Sequence, residues 1–398
     1  MNNNNTTYKD SPLGKIPLDW EVNLVSELGL LISGLHLNTE DYNQAGVGIP
    51  YFTGPTDYTN EITSITKWTT KKSALANCGD ILITVKGSGV GSLHLLELDK
   101  ISIGRQIMAL RTNENSSNKF IHFSLNHLEY NFKELAKGNM IPGLTRSDIL
   151  TSKILSPPLP EQKAIAHVLG LMDSAININN QLIAKKELQK KWLMQNLLTG
   201  KKRLKGFGGE NNKLGAGEIF KSVSVKGFMN EELLSATQDK GIIPRSLLEG
   251  RVTMPTNGTE SYKLVEPGDF VVSLRSFQGG LEYSYYKGIV SPAYTILKPK
   301  KKIDNEFYKQ YFKSNDFIGH LAIAVIGIRD GKQISYDDFC TVRIPYPSPD
   351  EQTAIARVLK AADKEIQLLK AKTEKLREQK KGLMQVLLTG KKRIKIIR

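Results

Sequence analysis

EQKAIAHVLGLMDSAININNQLIAKKELQKKWLMQNLLTGKKRLK, residues 161–205, returns as EQTAIARVLKAADKEIQLLKAKTEKLREQKKGLMQVLLTGKKRIK, residues 351–395. The two stretches align without a gap at an offset of 190, and 24 of their 45 positions are identical. Within each, a 4-3 spacing persists for more than four heptads, apolar at eight of ten positions in the second copy and seven of ten in the first. Ile355, Leu359, Ala362, Ile366, Leu369, Thr373, Leu376, Lys380, Leu383 and Leu387 form the second seam. Ile165, Leu169, Met172, Ile176, Asn179, Ile183, Lys186, Lys190, Leu193 and Leu197 form the first. Such a seam packs knobs-into-holes in a coiled coil. Prolines 157, 158, 160 and 345, 347, 349 set the starts, where Glu161 and Glu351 suit the positive end of the helix dipole. Gly200 and Gly390, followed by Lys-Lys-Arg, set the stops. The pattern predicts two helices of about 39 residues, each roughly 58 Å long. If their seams meet they run antiparallel, with one globular domain at each end and a pseudo-two-fold axis between.

The fold class expected is therefore α+β: two similar globular domains separated by two long antiparallel coiled-coil helices. The boundaries read as 1–156, 157–205, 206–346 and 347–398, the Gly/Asn-rich stretch 206–217 blurring the third. Ile81 to Val85 and Phe270 to Leu274 are buried-strand candidates, each after a Gly-Asp pair. Helical pieces are expected near 120–137 and 304–320. Matches Asp148/Asp338, Thr151/Thr341 and Ile154/Ile344 carry the repeat's register back into each domain.

Fifty-five Lys and Arg against 40 Asp and Glu give a formal charge of +15. Double-stranded DNA is the leading partner, since clustered cations release counterions from phosphates. No apolar run is long enough for a membrane span, and the Asn-rich start does not resemble a secretory signal, so a cytoplasmic location is expected. Cys78 and Cys340 give no disulfide framework or zinc set, and are expected to be buried packing residues. The six His have no metal spacing. Gly87-Ser88-Gly89-Val90-Gly91 follows a strand, but Ser92 to Leu98 alternates like another strand, so a flexible loop is expected rather than a nucleotide cradle. Ser156-Pro157-Pro158-Leu159 lacks the flanking residues of an amino-methyltransferase motif, and Glu378-Gln379-Lys380 lies inside the coiled coil. No catalytic or metal residues are expected.

What remains is contact chemistry in turns. Lys86, Ser88, Ser92, Arg105, Gln106, Lys137, Asn139 and Arg146 are the candidate DNA-contacting residues of the first half. Arg275, Ser276, Gln278, Arg329, Lys332 and Gln333 are those of the second. Arg and Lys can read guanine edges, Gln and Asn adenine edges, and Ser either. The basic runs 201–205, 298–302 and 391–395 fit phosphates, or solvated helix ends.

With these residues in view, the chain resembles the specificity subunit of a type I restriction–modification system. The likeness rests on Pro160 to Ala166 and Pro349 to Ala356, on the two Leu-Leu-Thr-Gly-Lys-Lys-Arg endings, on Ile16 to Trp20, and on the Gly-Asp-strand of each half. It spans essentially the whole chain. The resemblance implies two target-recognition domains, each reading one half of a bipartite DNA site, and a helical spacer that sets the unread gap. It also implies two modification (methyltransferase) subunits docked on exposed helix faces and nearby domain surfaces, with restriction (translocase/nuclease) subunits in the full complex. AdoMet would then belong to the modification subunits, ATP and Mg to the restriction subunits, and no cofactor to this chain. Two departures stand out: the second half lacks a Pro-x-x-Trp start, and Trp192 aligns with Gly382. The rival readings are a fused restriction or modification enzyme with its own active site, and a coiled-coil structural adaptor.

Overall fold

The computed structural model describes residues 7–71, 73–138, 143–209, 212–248, 258–274, 276–324 and 334–394. The chain divides into two compact units, Met1–Asn179 with Lys372–Arg398, and Asn180–Ala371. The division therefore runs through the long helices, and each unit holds one globular portion and a stretch of both.

The first long helix is α-helical over Leu159–Leu193 and continues as a π-helical turn over Met194–Leu198; the second is α-helical over Pro349–Leu387. Gly200 and Gly390, at φ +71° and +70°, stop them in the left-handed conformation expected of a C′ glycine. Gly390 has a second constraint: an added Cβ would lie 2.6 Å from Pro17 Cδ and 3.3 Å from the Trp20 ring.

Inside each unit the two helices run antiparallel. In the first, Asp173 pairs with Lys380 at 2.6 Å and Glu161 with Arg393 at 2.6 Å, so the start of one helix meets the end of the other. In the second, Lys190 pairs with Asp363 at 2.6 Å, Lys186 with Glu365 at 2.9 Å and Glu187 with Lys370 at 2.7 Å, while Arg203 pairs with Glu351. All twenty seam positions are buried or half-buried. The three seam lysines reach out to carboxylates of the facing helix while their stems cover apolar surface.

The Glu-Gln pair that opens each repeat has a double task. Each Glu is about 1% exposed and takes the guanidinium that follows the opposite helix. Each Gln ties its helix to its own globular portion. Gln162 Oε1 accepts from Ser117 N at 2.9 Å, and Gln352 Oε1 from Asp304 N at 2.8 Å. Ser117 and Asp304 are themselves N-caps of equivalent helices, Asn118–His127 and Asn305–Tyr311.

The globular portions repeat one plan. In the first unit a four-stranded antiparallel sheet has the order Gly29–Ser33, Ile107–Thr112, Ile81–Thr84, Leu93–Leu95. In the second the order is Phe220–Val223, Thr295–Pro299, Phe270–Val272, Glu282–Tyr283. Each unit also pairs an entry strand with an exit strand, Glu21–Leu24 with Lys153–Ser156 and Lys213–Gly215 with Arg343–Pro345. The second globular portion thus enters its fold at Lys213, inside the stretch 206–217 that obscured it in sequence.

The cores differ. Ile121 and Leu125 pack in the first unit where Tyr308 and Phe312 pack in the second, four and eight residues past the equivalent caps. Phe220 there meets Phe270, Tyr308 and Phe312 with ring centroids 5.2–5.7 Å apart. Helices Glu129–Gly138 and Asn315–Ala324 complete the helical pieces expected near 120–137 and 304–320. One expectation fails for Cys78, which is exposed with Sγ 3.6 Å from Glu97 O; Cys340 is half-buried against Gly217. No described helix is long and apolar enough to cross a membrane.

Candidate nucleic-acid interface

Strands that carry buried side chains on both faces must leave the sheet at turns, and in the first unit several turns converge. Gly34 N donates to Ile107 O and Leu35 N to Ile103 O, both at 3.0 Å. Val85 N donates to Gln106 O at 2.8 Å, and Leu144 N to Val85 O at 2.8 Å. Backbones approach so closely that a Cβ on Gly34 would sit 2.1 Å from Gly104 O, and one on Gly54 3.0 Å from Gln106 Oε1. Glycine lets these turns stack, which fixes the side chains they present.

Beside the 104–106 turn lies a cavity of about 420 Å³, lined by His36, Asn38, Glu40, Tyr42, Tyr51, Thr53, Arg105 and Gln106 among others. Tyr42 and Tyr51 form its aromatic side, with centroids 5.5 Å apart, and burial raises the Tyr51 phenol above its ordinary value. Thr53 is held from behind. Its N and Oγ both donate to Asp57 Oδ2 at 2.6 Å, and Lys67 Nζ reaches Thr53 Oγ at 2.8 Å and Asp57 at 3.1 Å. The result is a rigid polar surface with donors and acceptors of both kinds, suited to base edges.

Lys86, Ser88, Arg105 and Gln106 share this end of the first unit. Lys86 bridges to Gly143, and Ser88 tops an internally bonded turn, with Val90 N on Gly87 O at 3.2 Å and Gly91 N on Thr84 O at 2.9 Å. That turn joins two strands and opens no helix, so it is a hairpin loop bonded into place rather than the flexible loop expected. Ser92 is half-buried at its far side. Lys137 is exposed on its helix and pairs with Glu134 at 2.8 Å. Arg146 is committed to the fold: Nη1 donates to Ser33 Oγ and Nη2 to Leu31 O, both at 2.8 Å. Asn139 lies outside the described residues.

In the second unit the equivalent end comprises residues 224–230, 273–274, 276–280 and 291–294. Gln278 is exposed on a short helix, Ser276–Gly279. Ser276 itself is 1% exposed and accepts from Ser273 N at 2.8 Å, so its hydroxyl serves the turn. Arg275, Arg329, Lys332 and Gln333 lie outside the described residues. Sequence reading passed over Lys226 and Lys263, and in the first unit His36, Asn38, Tyr42, Tyr51 and Thr53. The available signal was positional for His36, Asn38 and Lys226, which follow the edge strands Gly29–Ser33 and Phe220–Val223; Tyr51 and Lys263 lie in the further strands Ile49–Phe52 and Lys263–Val265 and carried no such signal. Among the basic runs, Arg203 and Arg393 are structural clamps and Lys298 pairs with Glu266 and with Asp269 at 3.6 Å.

A second feature occurs in both units, where the helix pair meets the globular portion. In the first unit a cleft of about 820 Å³ is lined by Tyr130, Lys133, Lys380, Lys381, Met384 and Gln385 among others. In the second, a cleft of about 640 Å³ is lined by Lys190, Lys191, Met194 and Gln195, with Lys313 and Asp316 opposite. The helix residues are the same four at an offset of 190. Next to them the copies differ, with Arg377 in one cleft and Glu187 in the other.

The family model for the type I restriction modification DNA specificity domain matches residues 17–188 and 213–378. Over 205 residues the chain is 34% identical to the type I restriction enzyme MjaX specificity subunit of Methanocaldococcus jannaschii, covering 50% of this chain and 47% of that one. The chain thus spans about half the length of that relative. The MjaVIII specificity subunit of the same organism is 27% identical over 96% of this chain and 95% of its own. Among solved structures, the S subunit of a type I restriction–modification system from M. genitalium superposes with a TM-score of 0.58 at 18% identity, covering 93% of this chain and 96% of that one.

Proposed function

The chain belongs to the type I restriction–modification DNA specificity family, a family of non-catalytic DNA target-recognition subunits, and from that premise we propose how its parts divide the work. Residues 1–156 and 206–346 act as two target-recognition domains, each reading one half of a bipartite site. Residues 157–205 and 347–398 act as the spacer that sets the unread gap. The observation that supports this most is one fold and one clamp built twice around unlike loops. Selection for two different half-sites requires a common frame and divergent contact surfaces, as in other two-module readers.

In the first domain the base-reading residues are Lys86, Ser88, Arg105 and Gln106 beside the Tyr42–Tyr51 cavity, with Ser92, Lys137 and Asn139 as further DNA contacts. In the second they are Gln278 together with Arg275, Arg329, Lys332 and Gln333. The two basic clefts at the helix ends receive two modification subunits, and restriction subunits join them in the full complex. AdoMet is carried by the modification subunits, ATP and Mg by the restriction subunits, and the assembly works in the cytoplasm.

Exchanging residues 206–346 for the corresponding domain of another specificity subunit tests the division. Methylation by the resulting complex is expected to change in one half of the recognised sequence and to keep the other half. Loss of both half-specificities in a folded chimera would overturn it.

A further inference from the structure

Between strands Phe220–Val223 and Leu234–Thr237 the second unit carries a tip, Val225-Lys226-Gly227-Phe228-Met229-Asn230. The tip is fastened at both ends. Val225 O accepts from Leu264 N at 2.8 Å, Glu231 N donates to Phe228 O at 3.1 Å, and Glu231 pairs with Lys287. Gly227 turns the chain at φ +90°, with open space around the position a Cβ would take. Outward from it stand Val225, Phe228 and Met229, at 41%, 39% and 54% exposure. Single exposed apolar residues are ordinary on a protein surface. Three within five positions, on a fastened turn, form a projecting apolar point that water covers poorly.

Its surroundings say what covers it. Lys226 is exposed within the tip, and Lys263 beside it directs Nζ to Tyr294 O at 2.6 Å, in the turn equivalent to 104–106 of the first unit. Burial, with Lys226 nearby, holds the Lys263 ammonium below its ordinary pKa, so an anion brought to this point relieves a like-charge contact. An apolar point beside two neighbouring cations, neither in an ion pair among the described residues, fits a duplex, whose phosphates take the lysines and whose stacked bases take the side chains. An apolar protein groove would satisfy only the apolar part, leaving the two lysines without an anion.

Resting on the DNA-reading function proposed above, we propose that Phe228 and Met229 form a wedge that enters a groove of the second half-site and unstacks one base step there, with Lys226 and Lys263 on the flanking phosphates. The loop at the same place in the first unit, Leu35-His36-Leu37, is bonded to Ile103 O through Leu35 N; His36 and Leu37 line the Tyr42–Tyr51 cavity, and Leu35 alone stands exposed, at 53%, against three apolar residues in the tip. The two domains therefore read differently, the first with a recessed polar surface and the second by deforming its site. Sequence preference in the second half then comes partly from how easily a step unstacks, at bases that no polar group touches.

The test uses the full chain and duplexes bearing its methylated sequence, with 2-aminopurine placed at successive positions of the second half-site. Binding is expected to raise the fluorescence at one step and at no position of the first half-site. Phe228→Ala/Met229→Ala should abolish the rise and weaken binding roughly tenfold or more. Phe228→Leu/Met229→Leu keeps a wedge and should keep the rise. Lys226→Gln should keep the rise and lower the salt dependence by about one counterion. No rise at any position of a bound duplex would overturn the wedge. So would an alanine variant that unstacks and binds like the wild type, or one that loses only a protein partner. If the wild-type chain binds no duplex at all, the DNA-reading function fails first.

Discussion

The two units agree at the helix junctions and part company at their far loops. Both bury a Glu against the opposite copy's Arg, and both hand a Gln to the N-cap of the same helix. Yet the first presents a recessed polar cavity and the second a projecting apolar tip. Constraint thus tracks burial: where two helices and a domain must close without leaving a charge unpaired, few residue sets work. Where a loop meets only an outside partner, the partner decides. Even the shared junctions are not identical, since Glu161 also accepts from Trp20 Nε1 at 3.1 Å, and Arg393 also pairs with Asp19 at 2.8 Å. Arg203 instead spends its remaining donors on the Gly208 and Gly209 carbonyls.

That inequality is the place to press hardest. Arg203→Ala strands Glu351 in the second unit and should cost about 3 kcal/mol or more. In an Asp19→Asn background, where the second pair of Arg393 is already gone, Arg393→Ala should cost the first unit about 1 kcal/mol less, because Trp20 still donates to Glu161. Trp20→Phe added to Arg393→Ala should remove the difference. Urea-dependent hydrogen exchange at the central strands of each unit measures both; equal costs before the Trp20 change would break the comparison.

Acid separates the units next. His122 is half-buried in the first unit, its Nδ1 shut off from solvent, and its pKa is lowered to about 4 by that burial first and then by His94 and Lys380. The equivalent place in the second unit, five residues past the cap, is Lys309. Between pH 6.5 and about 4 the unfolded chain binds a proton that folded His122 refuses, so stability falls as pH falls. The loss should approach about 3 kcal/mol at pH 4. It should be confined to the first unit and most of it should be missing from His122→Asn, the remainder coming from His94, whose pKa burial also lowers; exchange protection in the two units as a function of pH reads it.

The smallest difference is expected along the helix pair. Asp173→Asn and Asp363→Asn each remove a partly exposed pair and should cost about 0.5–1 kcal/mol. Asp363 is the costlier of the two, since Gln310 Nε2 also donates to it at 2.9 Å. Thermal melts of the two single variants decide the order.

The helix pair and its direction were legible because a seam, two proline-led starts and two Gly stops all say the same thing at an offset of 190. The twofold likeness of the globular portions was only half legible. Their hydrogen-bonding frame repeats, but Ile121 and Leu125 became Tyr308 and Phe312, and a core repacked that far keeps its layers while losing its letters. Individual contact residues were the least legible. A basic or polar residue in a Gly-rich turn reads the same whether it faces outward, like Arg105, or stitches two elements together, like Arg146. Composition separates neither; only the placement of Ser33 and Leu31 does. The seam lysines were misleading in the opposite sense, interrupting a pattern in sequence while sealing it in space.

Methylome sequencing of cells carrying this chain with its modification subunits tests the central claim, that two unlike readers act through one frame. Adenine methylation is expected at a single bipartite sequence, two specific parts divided by a gap of constant length, and is expected to vanish without the chain. One continuous recognition sequence, or a methylation pattern indifferent to the chain's presence, would contradict the account.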